Sequence, residues 1–380
     1  MAMSQNVLVV TLLAAAISTP ALATDGDLRT GAVFVMTNQT DNEVIAYDRN
    51  ADGSLVEVGR FLTGGRGNVF PDGTDPATNP LASQGSLIVS QDGRFVVAAN
   101  AKSNNISTMR ITKAGLTPVS LSSTGGRRPI SIANFSSLIY VLNESDANAL
   151  TNINGFILGP FGRLRHLPNS DLVISNDPAT DAGQVALSRD GRLLTVTDKA
   201  LRQITTFRVT DTGNLNPPVV TPSSGTTPCG VAFDGQGHVV VAEGRNGAAL
   251  AGSLSSYGTS PDGTLTPISS RVGTHQTAPC WVVATDDAKF VFTSNTGTGQ
   301  VSSYSLATNG ELTLLESSAS NTAADSAVTD MALSRDGQFL YVIQAGRLSI
   351  AIFRVESDGT LTRQPSKGGL PAGVQGIAAN

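Results

Sequence analysis

The sequence is poor in the residues that usually announce chemistry. Of 380 residues, 5% are aromatic with a single tryptophan, three are histidine and two are cysteine. One tryptophan argues against a broad stacking surface for glycans. Charge is sparse too: 25 Lys and Arg stand against 30 Asp and Glu, for a net charge of −5, and the two signs are interspersed. No basic stripe exists to hold a phosphate backbone, so nucleic acid is not an expected partner. After the first residues no run approaches the roughly 20 apolar residues that a membrane helix needs. Gly-x-Ser-x-Gly, His-Glu-x-x-His and Cys-x-x-Cys are all missing, which excludes the hydrolase, zinc-protease and thiol-redox chemistries built on those motifs.

What the sequence does have is a recurring unit. Ser90-Gln91-Asp92-Gly93-Arg94-Phe95 returns as Ser188-Arg189-Asp190-Gly191-Arg192-Leu193 and as Ser334-Arg335-Asp336-Gly337-Gln338-Phe339. The Asp-Gly pairs lie 98 and then 146 residues apart, two and three steps of about 49. Each copy is an apolar strand, an Asp-Gly hairpin turn with positive φ expected at both central residues, and a second apolar strand. An alternating third strand follows, as in Ile106 to Ile111, Ile204 to Val209 and Val301 to Leu306, then a Gly-x-Leu turn and a fourth strand.

Degenerate copies fill the gaps: Ile130 to Leu164 with Phe135-Ser136-Ser137 at the turn, Gly230 to Pro267 with Gln236-Gly237, and Trp281 to Leu314 with Asp287-Ala288. With an opening copy at Ala32 this makes an all-β, seven-bladed β-propeller of four-stranded antiparallel blades. The opening copy lacks its first strand, and Val374 to Ala379 at the C-terminus resembles one. The expected ring is therefore closed by the C-terminal strand joining blade 1, which removes the open edges of a linear array.

Residues 1–23 read as a secretory signal peptide: an apolar stretch from Val7 to Ile17, too short to span a bilayer, precedes the small-x-small pattern Ala21-Leu22-Ala23. Residues 24–380 then form a single propeller domain that is exported, periplasmic or extracellular, and monomeric, with no membrane span after cleavage.

The cysteines fit that compartment. Cys229 in Pro228-Cys229-Gly230 and Cys280 in Pro279-Cys280-Trp281 are 51 residues apart, one blade step, so they open the innermost strands of blades five and six. In a ring of radius about 6–8 Å, such Cα atoms come within disulfide reach. An exported protein with an even cysteine count usually pairs them. Two buried free thiols remain the alternative, and no His or carboxylate sits at metal-ligand spacing.

Propeller ligands usually bind at a mouth of the central channel. By repeat position the residues expected there include Arg127, Arg128, Asn143, Glu144, Asp198, Lys199, Glu243, Arg245, His275, Trp281, Asn295, Thr329 and Asp330. Glu144 and Glu243 depart from the Asn that ends the second strand elsewhere (Asn38, Asn100, Asn143, Asn295), and are the candidate general bases. Arg128 and Lys199 are their candidate electrostatic partners. Arg245, His275, Trp281 and Asp330 are candidate ligand contacts. The recurring Asn itself is the pattern of a turn residue bonding its own backbone. The long polar loop from Gly64 to Ser83 is expected to fold over a mouth. Its Asp72 and Asp75 read as a solvated turn more readily than as calcium ligands.

Gly-x-x-Pro at blade entry, Ser-x-Asp-Gly-Arg-Phe and Asp-Gly-x-Leu-Thr together resemble the seven-bladed lactonase family, which includes propeller-type 6-phosphogluconolactonases and 3-carboxymuconate lactonising enzymes. The likeness covers about Thr30 to Asn380. The resemblance implies lactone hydrolysis or isomerisation without a cofactor. It also implies Arg and His at the blade-five entry and a further His at the blade-four entry. Those positions here hold Cys229, Gly230 and Gly183, next to Gln184. Three functions follow from this. One is a lactonase or cycloisomerase acting on a lactone or related cyclic ester at the channel mouth. Another is a non-catalytic propeller that binds a small molecule or an envelope protein. The third is a purely structural envelope or matrix protein.

Overall fold

In the computed structural model, which describes residues 31–67, 79–144 and 150–380, the Ser-x-Asp-Gly segments close the inner hairpins of a seven-bladed propeller. The expected signal peptide and Asp72 and Asp75 lie outside the described residues. Seven sheets each carry four antiparallel strands, consecutive in sequence in all but the first blade, and the third blade adds the short strand Leu172–Val173. Innermost strands are Leu87–Val89, Pro129–Phe135, Ala182–Leu187, Pro228–Phe233, Pro279–Ala284 and Val328–Leu333 in blades two to seven. Blade 1 takes its innermost strand from the C-terminus: Ile377–Ala379 pairs antiparallel with Ala32–Met36, Ile377 opposite Val35 and Ala379 opposite Val33. Ring closure is therefore as the repeat implied.

The Asp-Gly turn differs in one respect from expectation. Only the glycine has positive φ, 72° at Gly93 and 70° at Gly191, and Asp92 does not. The turn spans four residues rather than two: Gly93 N–H donates to Ser90 O at 2.8 Å and Ser90 N–H to Phe95 O at 2.7 Å. The Asp92 carboxylate accepts from Ser90 Oγ at 2.6 Å and from Arg94 N–H at 3.1 Å, while Phe95 N–H donates to Ser90 Oγ. Ser and Asp recur because they close this loop on itself.

Second strands such as Phe95–Asn100 and Phe339–Gln344 are buried along their whole length, whereas outer strands such as Leu361–Gly368 are half-buried or exposed throughout. Blades lock together through one repeated contact. The first residue of each second strand covers the outer-turn glycine of the next blade. The pairs are Phe95 on Gly162, Leu138 on Gly213, Leu193 on Gly263, His238 on Gly310, Phe290 on Gly359, and Phe339 on Gly53 across the closure. At the seventh interface Phe61 covers Gly115. His238 is thus a packing residue, held by Asp234 at 2.6 Å.

A Cβ at Gly53 would fall 2.3 Å from the Phe339 ring, and φ there is +87°. At Gly93 φ is +72° but the nearest atom to such a Cβ is Arg335 Nη1 at 3.5 Å. Gly93→Ala is therefore expected to cost only the left-handed backbone penalty, about 1 kcal/mol. Gly53→Ala should cost clearly more, through the lost blade contact. Denaturant unfolding of the two variants checks this, and equal losses would contradict the contact.

Candidate functional site

The innermost strands start at one mouth of the channel, the entry mouth, and end at the Asp-Gly turns of the other. A strap, Asn79 to Gly85, crosses the axis at the entry end. Ser83 Oγ donates to Ile130 O of blade 3 at 2.7 Å. Ser83 O accepts from Trp281 Nε1 of blade 6 at 2.9 Å and from Gln375 Nε2 of the closing segment at 2.7 Å. Gln84 clasps blade 6 twice, donating to Val282 O at 2.8 Å and accepting from Val282 N–H at 3.0 Å. Leu81 is fully buried and its N–H donates to Gln375 Oε1 at 2.7 Å. The strap therefore plugs the channel. Trp281, expected as a ligand contact, is instead 2% exposed and spends its indole N–H on the strap.

The plug and neighbouring backbone fill positions that the family resemblance gives to catalytic side chains. A Cβ at Gly230 would lie 2.5 Å from Gln84 Oε1 and 2.5 Å from Cys280 O. At Gly183 it would lie 2.7 Å from Cys229 O and 2.8 Å from Thr197 Oγ1. No histidine fits either place without moving backbone. Beside them Cys229 and Cys280 form a disulfide, Cα atoms 4.9 Å apart, which joins blades five and six one step apart as their spacing suggested. Arg245 follows Gly244, which packs on the two sulfurs, and is half-buried with φ +52°.

A charged cluster occupies the blade 3 and 4 side of the same mouth. The Arg128 guanidinium pairs with the Glu144 carboxylate and donates to Pro80 O at 2.9 Å. Lys199 Nζ pairs with Asp181 at 2.8 Å and donates to Ala82 O at 2.9 Å. Pro80 and Ala82 are two residues apart, about 7 Å along an extended chain, so both cations grip one short stretch of strap. Glu144 and Lys199 side chains are only 11% and 9% exposed, so their charges are far less screened than surface pairs. Here a carboxylate able to take a proton pairs with one cation, and a second cation holds the same strap two residues on.

Glu243 does not join this cluster. It ends the second strand of blade 5, at the step occupied by Asn100, Asn143, Asn295 and Gln344, and so follows the repeat rather than breaking it. Its oxygens accept from Ser253 and Ser255 hydroxyls at 2.6 Å each, Gly225 N–H at 2.8 Å and Ser223 Oγ at 3.4 Å, and it is fully buried. The carboxylate ties its own blade together, as Asn100 does through Asn105 and Ser107. Asn100 and Glu243 are thus buried hubs that also tie each blade to the segment arriving from the one before, Asn100 to Asn42 and Thr63 and Glu243 to Ser223 and Gly225. His275 also stands apart: it is exposed and lies against Gly273 of the outer strand of blade 5, away from the axis.

Beyond the plug, an axial cavity of about 340 Å³ opens toward the turn mouth, lined by innermost strands of blades 7, 1, 2, 3 and 4. In blades three to seven a bulge near the start of the inner strand shifts the register, between Pro129 and Ser131 for example, and between Val328 and Met331. Amides just past these bulges find side-chain acceptors outside their own blade: Val185 N–H on Ser131 Oγ of blade 3 at 3.1 Å, Val231 N–H on Gln184 Oε1 of blade 4 at 2.6 Å, and Val282 N–H on Gln84 of the strap. Asp330 closes the series, its Oδ1 accepting Met331 N–H at 2.9 Å. Burial pushes its carboxyl up to about 7, against the pull of the Met331, Gly85 and Ile377 N–H groups. Asp330 thus sits inside the channel rather than at a mouth.

Two expectations follow. Replacing Cys229 and Cys280 by serine opens a loop of 51 residues, and should lower unfolding stability by about 4 kcal/mol on chain entropy. Unfolding with and without reductant measures it, and no change would contradict a stabilising bridge. Asp330 has a folded pKa raised from 3.8 to about 7, so the stability it favours is fully present below 3.8 and lost as pH rises through about 7. Asp330→Asn should therefore flatten the fall in stability between pH 4 and 7. An unchanged pH profile of unfolding would contradict the assignment.

No curated protein matches the sequence. Solved structures with the same fold include a Lactobacillus plantarum protein (TM-score 0.71, 14% identity, 91% of this chain and 98% of that one). A candidate 6-phosphogluconolactonase of Bacteroides fragilis matches at TM-score 0.67 and 19% identity, covering 94% and 99%. A periplasmic gluconolactonase of Pseudomonas aeruginosa matches at 0.66 and 17%, covering 90% and 98%. The family model described as a lactonase, 7-bladed β-propeller, matches residues 29–154, 161–252 and 244–326, and with that coverage the chain belongs to the seven-bladed lactonase family.

Proposed function

We propose that this propeller hydrolyses a small lactone at the entry mouth, on the side of blades 3 and 4. The observation that carries this reading is the convergence of Arg128 with Glu144, and of Lys199 with Asp181, on one stretch of strap. Glu144 takes the proton of an attacking water while the oxygen adds to the ring carbonyl carbon. Arg128 and Lys199 stabilise the oxyanion. Collapse breaks the ring C–O bond, and the leaving alkoxide recovers the proton from Glu144, giving the hydroxy acid. The name of the Pseudomonas aeruginosa relative directs the choice of substrate towards hydroxylated aldonolactones. The disulfide and that periplasmic relative also support export, in keeping with the leader read at residues 1–23.

A second reading, a propeller that binds such a ring without turning it over, is favoured by the packing at Gly183 and Gly230, which leaves no room for histidine. A pH-stat assay over a panel of aldonolactones separates the two. The hydrolytic reading expects turnover that falls about 100-fold or more in Glu144→Gln and in Lys199→Met. Saturable lactone binding without turnover supports the second reading. Turnover untouched by both substitutions, or neither binding nor turnover, would overturn the placement at Glu144.

A further inference from the structure

The strap divides the channel. On the side away from the Glu144 cluster lies the axial cavity of about 340 Å³, with Gln84 and Gly85 of the strap at its deep end and inner strands around it. The inner-strand side chains that keep some surface there are mostly apolar. Ile88, Val89, Leu187 and Leu333 are half-buried, whereas Gln84, Gln184 and Asp330 are buried. Asn134, the half-buried polar exception among the described lining residues, donates to Val89 O at 3.4 Å. The amides at the deep end are already taken by Ser131, Gln184, Gln84 and Asp330. An apolar guest therefore strands none of these donors.

The well meets a recess of about 340 Å³ at the turn mouth, and Val89, Leu333 and Ala379 line both. The rim of this recess follows from the repeat. In Ser-x-Asp-Gly the serine and aspartate side chains close the turn, at Ser90 to Phe95 and again at Ser334 to Phe339. The residue x takes no part in that closure, and two of them, Gln91 and Arg335, line the recess.

Arg335 carries the charge that matters. Its Nη1 reaches from blade 7 past blade 1, to 3.5 Å from where a Cβ on Gly93 of blade 2 would stand. Its side chain has no hydrogen-bond or ion-pair partner among the described residues. The carboxylates lining the recess and the groove beside it are committed to other cations: Asp286 to Arg189, Asp287 to Lys289, Asp336 to Arg49 and Glu356 to Arg354. Gln91 accepts Ser136 N–H on Oε1 at 2.7 Å, which leaves its Nε2 as a donor beside the same recess.

We propose that the turn mouth binds an amphipathic monocarboxylate, its head group on Arg335 and Gln91 Nε2 and its apolar tail in the axial well. A guanidinium offers a carboxylate two parallel N–H donors, and the tail displaces water from an apolar wall. The well lies at the lower end of small-ligand pocket volumes, so the fitting tail is short, of about six to eight carbons. Each methylene added within the length of the well should tighten binding about fourfold. The site shares no residue with the entry-mouth cluster, and its occupancy is independent of lactone turnover there.

Titration calorimetry of the full chain with sodium hexanoate, heptanoate and octanoate tests this. One octanoate should bind per chain with Kd of about 1 mM or tighter, and affinity should rise along the series. Octylammonium chloride should bind about tenfold more weakly or worse, because its head repels Arg335. Arg335→Gln should weaken octanoate about tenfold or more. Its fold is secure, since glutamine already stands at this turn position in blade 2 as Gln91. Ala379→Phe, at the junction of well and recess, should remove the dependence on chain length. If Ala379→Phe does not fold, the series on the unaltered protein and Arg335→Gln decide. No saturable octanoate binding up to about 10 mM overturns the site. So does equal affinity for hexanoate and octanoate, octylammonium binding as tight as octanoate, or octanoate affinity unchanged in Arg335→Gln.

Discussion

Everything in this molecule depends on one contact repeated around a ring, a bulky first residue of a second strand set on the outer-turn glycine of the next blade. Phe339 on Gly53 is that contact at the point where the chain ends meet. A blade cannot bury both of its faces alone, and each such contact supplies the cover that the neighbour lacks. The ring in turn fixes the axis, places the inner-strand starts at one mouth, and gathers residues as distant in sequence as Ser83, Trp281 and Gln375 into one plug.

The plug determines what chemistry the entry mouth can host. Gln84 and the Cys229–Cys280 bridge fill the blade 4 to 6 side, and Gly183 and Gly230 are small because backbone and Gln84 leave no space for a side chain. On blades 3 and 4, Arg128 and Lys199 hold the strap by its carbonyls. These two cations serve structure and site together. On the far side of the plug the same ring buries Asp330, a carboxyl met by the backbone amides of Met331, Gly85 and Ile377.

Much of the architecture was legible in the residue order, and the functional residues much less so. Ser-x-Asp-Gly marks each hairpin because the motif satisfies its own turn, and local hydrogen bonding leaves a local signature. The cysteines were legible for a related reason: equal repeat positions become neighbours in any closed ring. Glu243 was misread as an exception, although alignment with Asn100 and Asn295 marks it as the blade hub; the cue was present, since the second strands end at the same step. Trp281 and Gln84 carried no such cue, because their partners come from a loop whose path across the axis no periodicity encodes.

Sequence by itself determined the blade count, the hairpins, the closure by the C-terminal strand and the step between the two cysteines. Each of these follows from contacts made within a repeat or between adjacent repeats, and such contacts recur as pattern. Tertiary structure alone decided that the channel is plugged, that Trp281 and Glu243 are internal, that Glu144 meets Arg128 beside the strap, and that Asp330 is buried with one oxygen unbonded. Those are unique contacts between distant segments, and their energies depend on burial and desolvation, which exist only once the ring has closed.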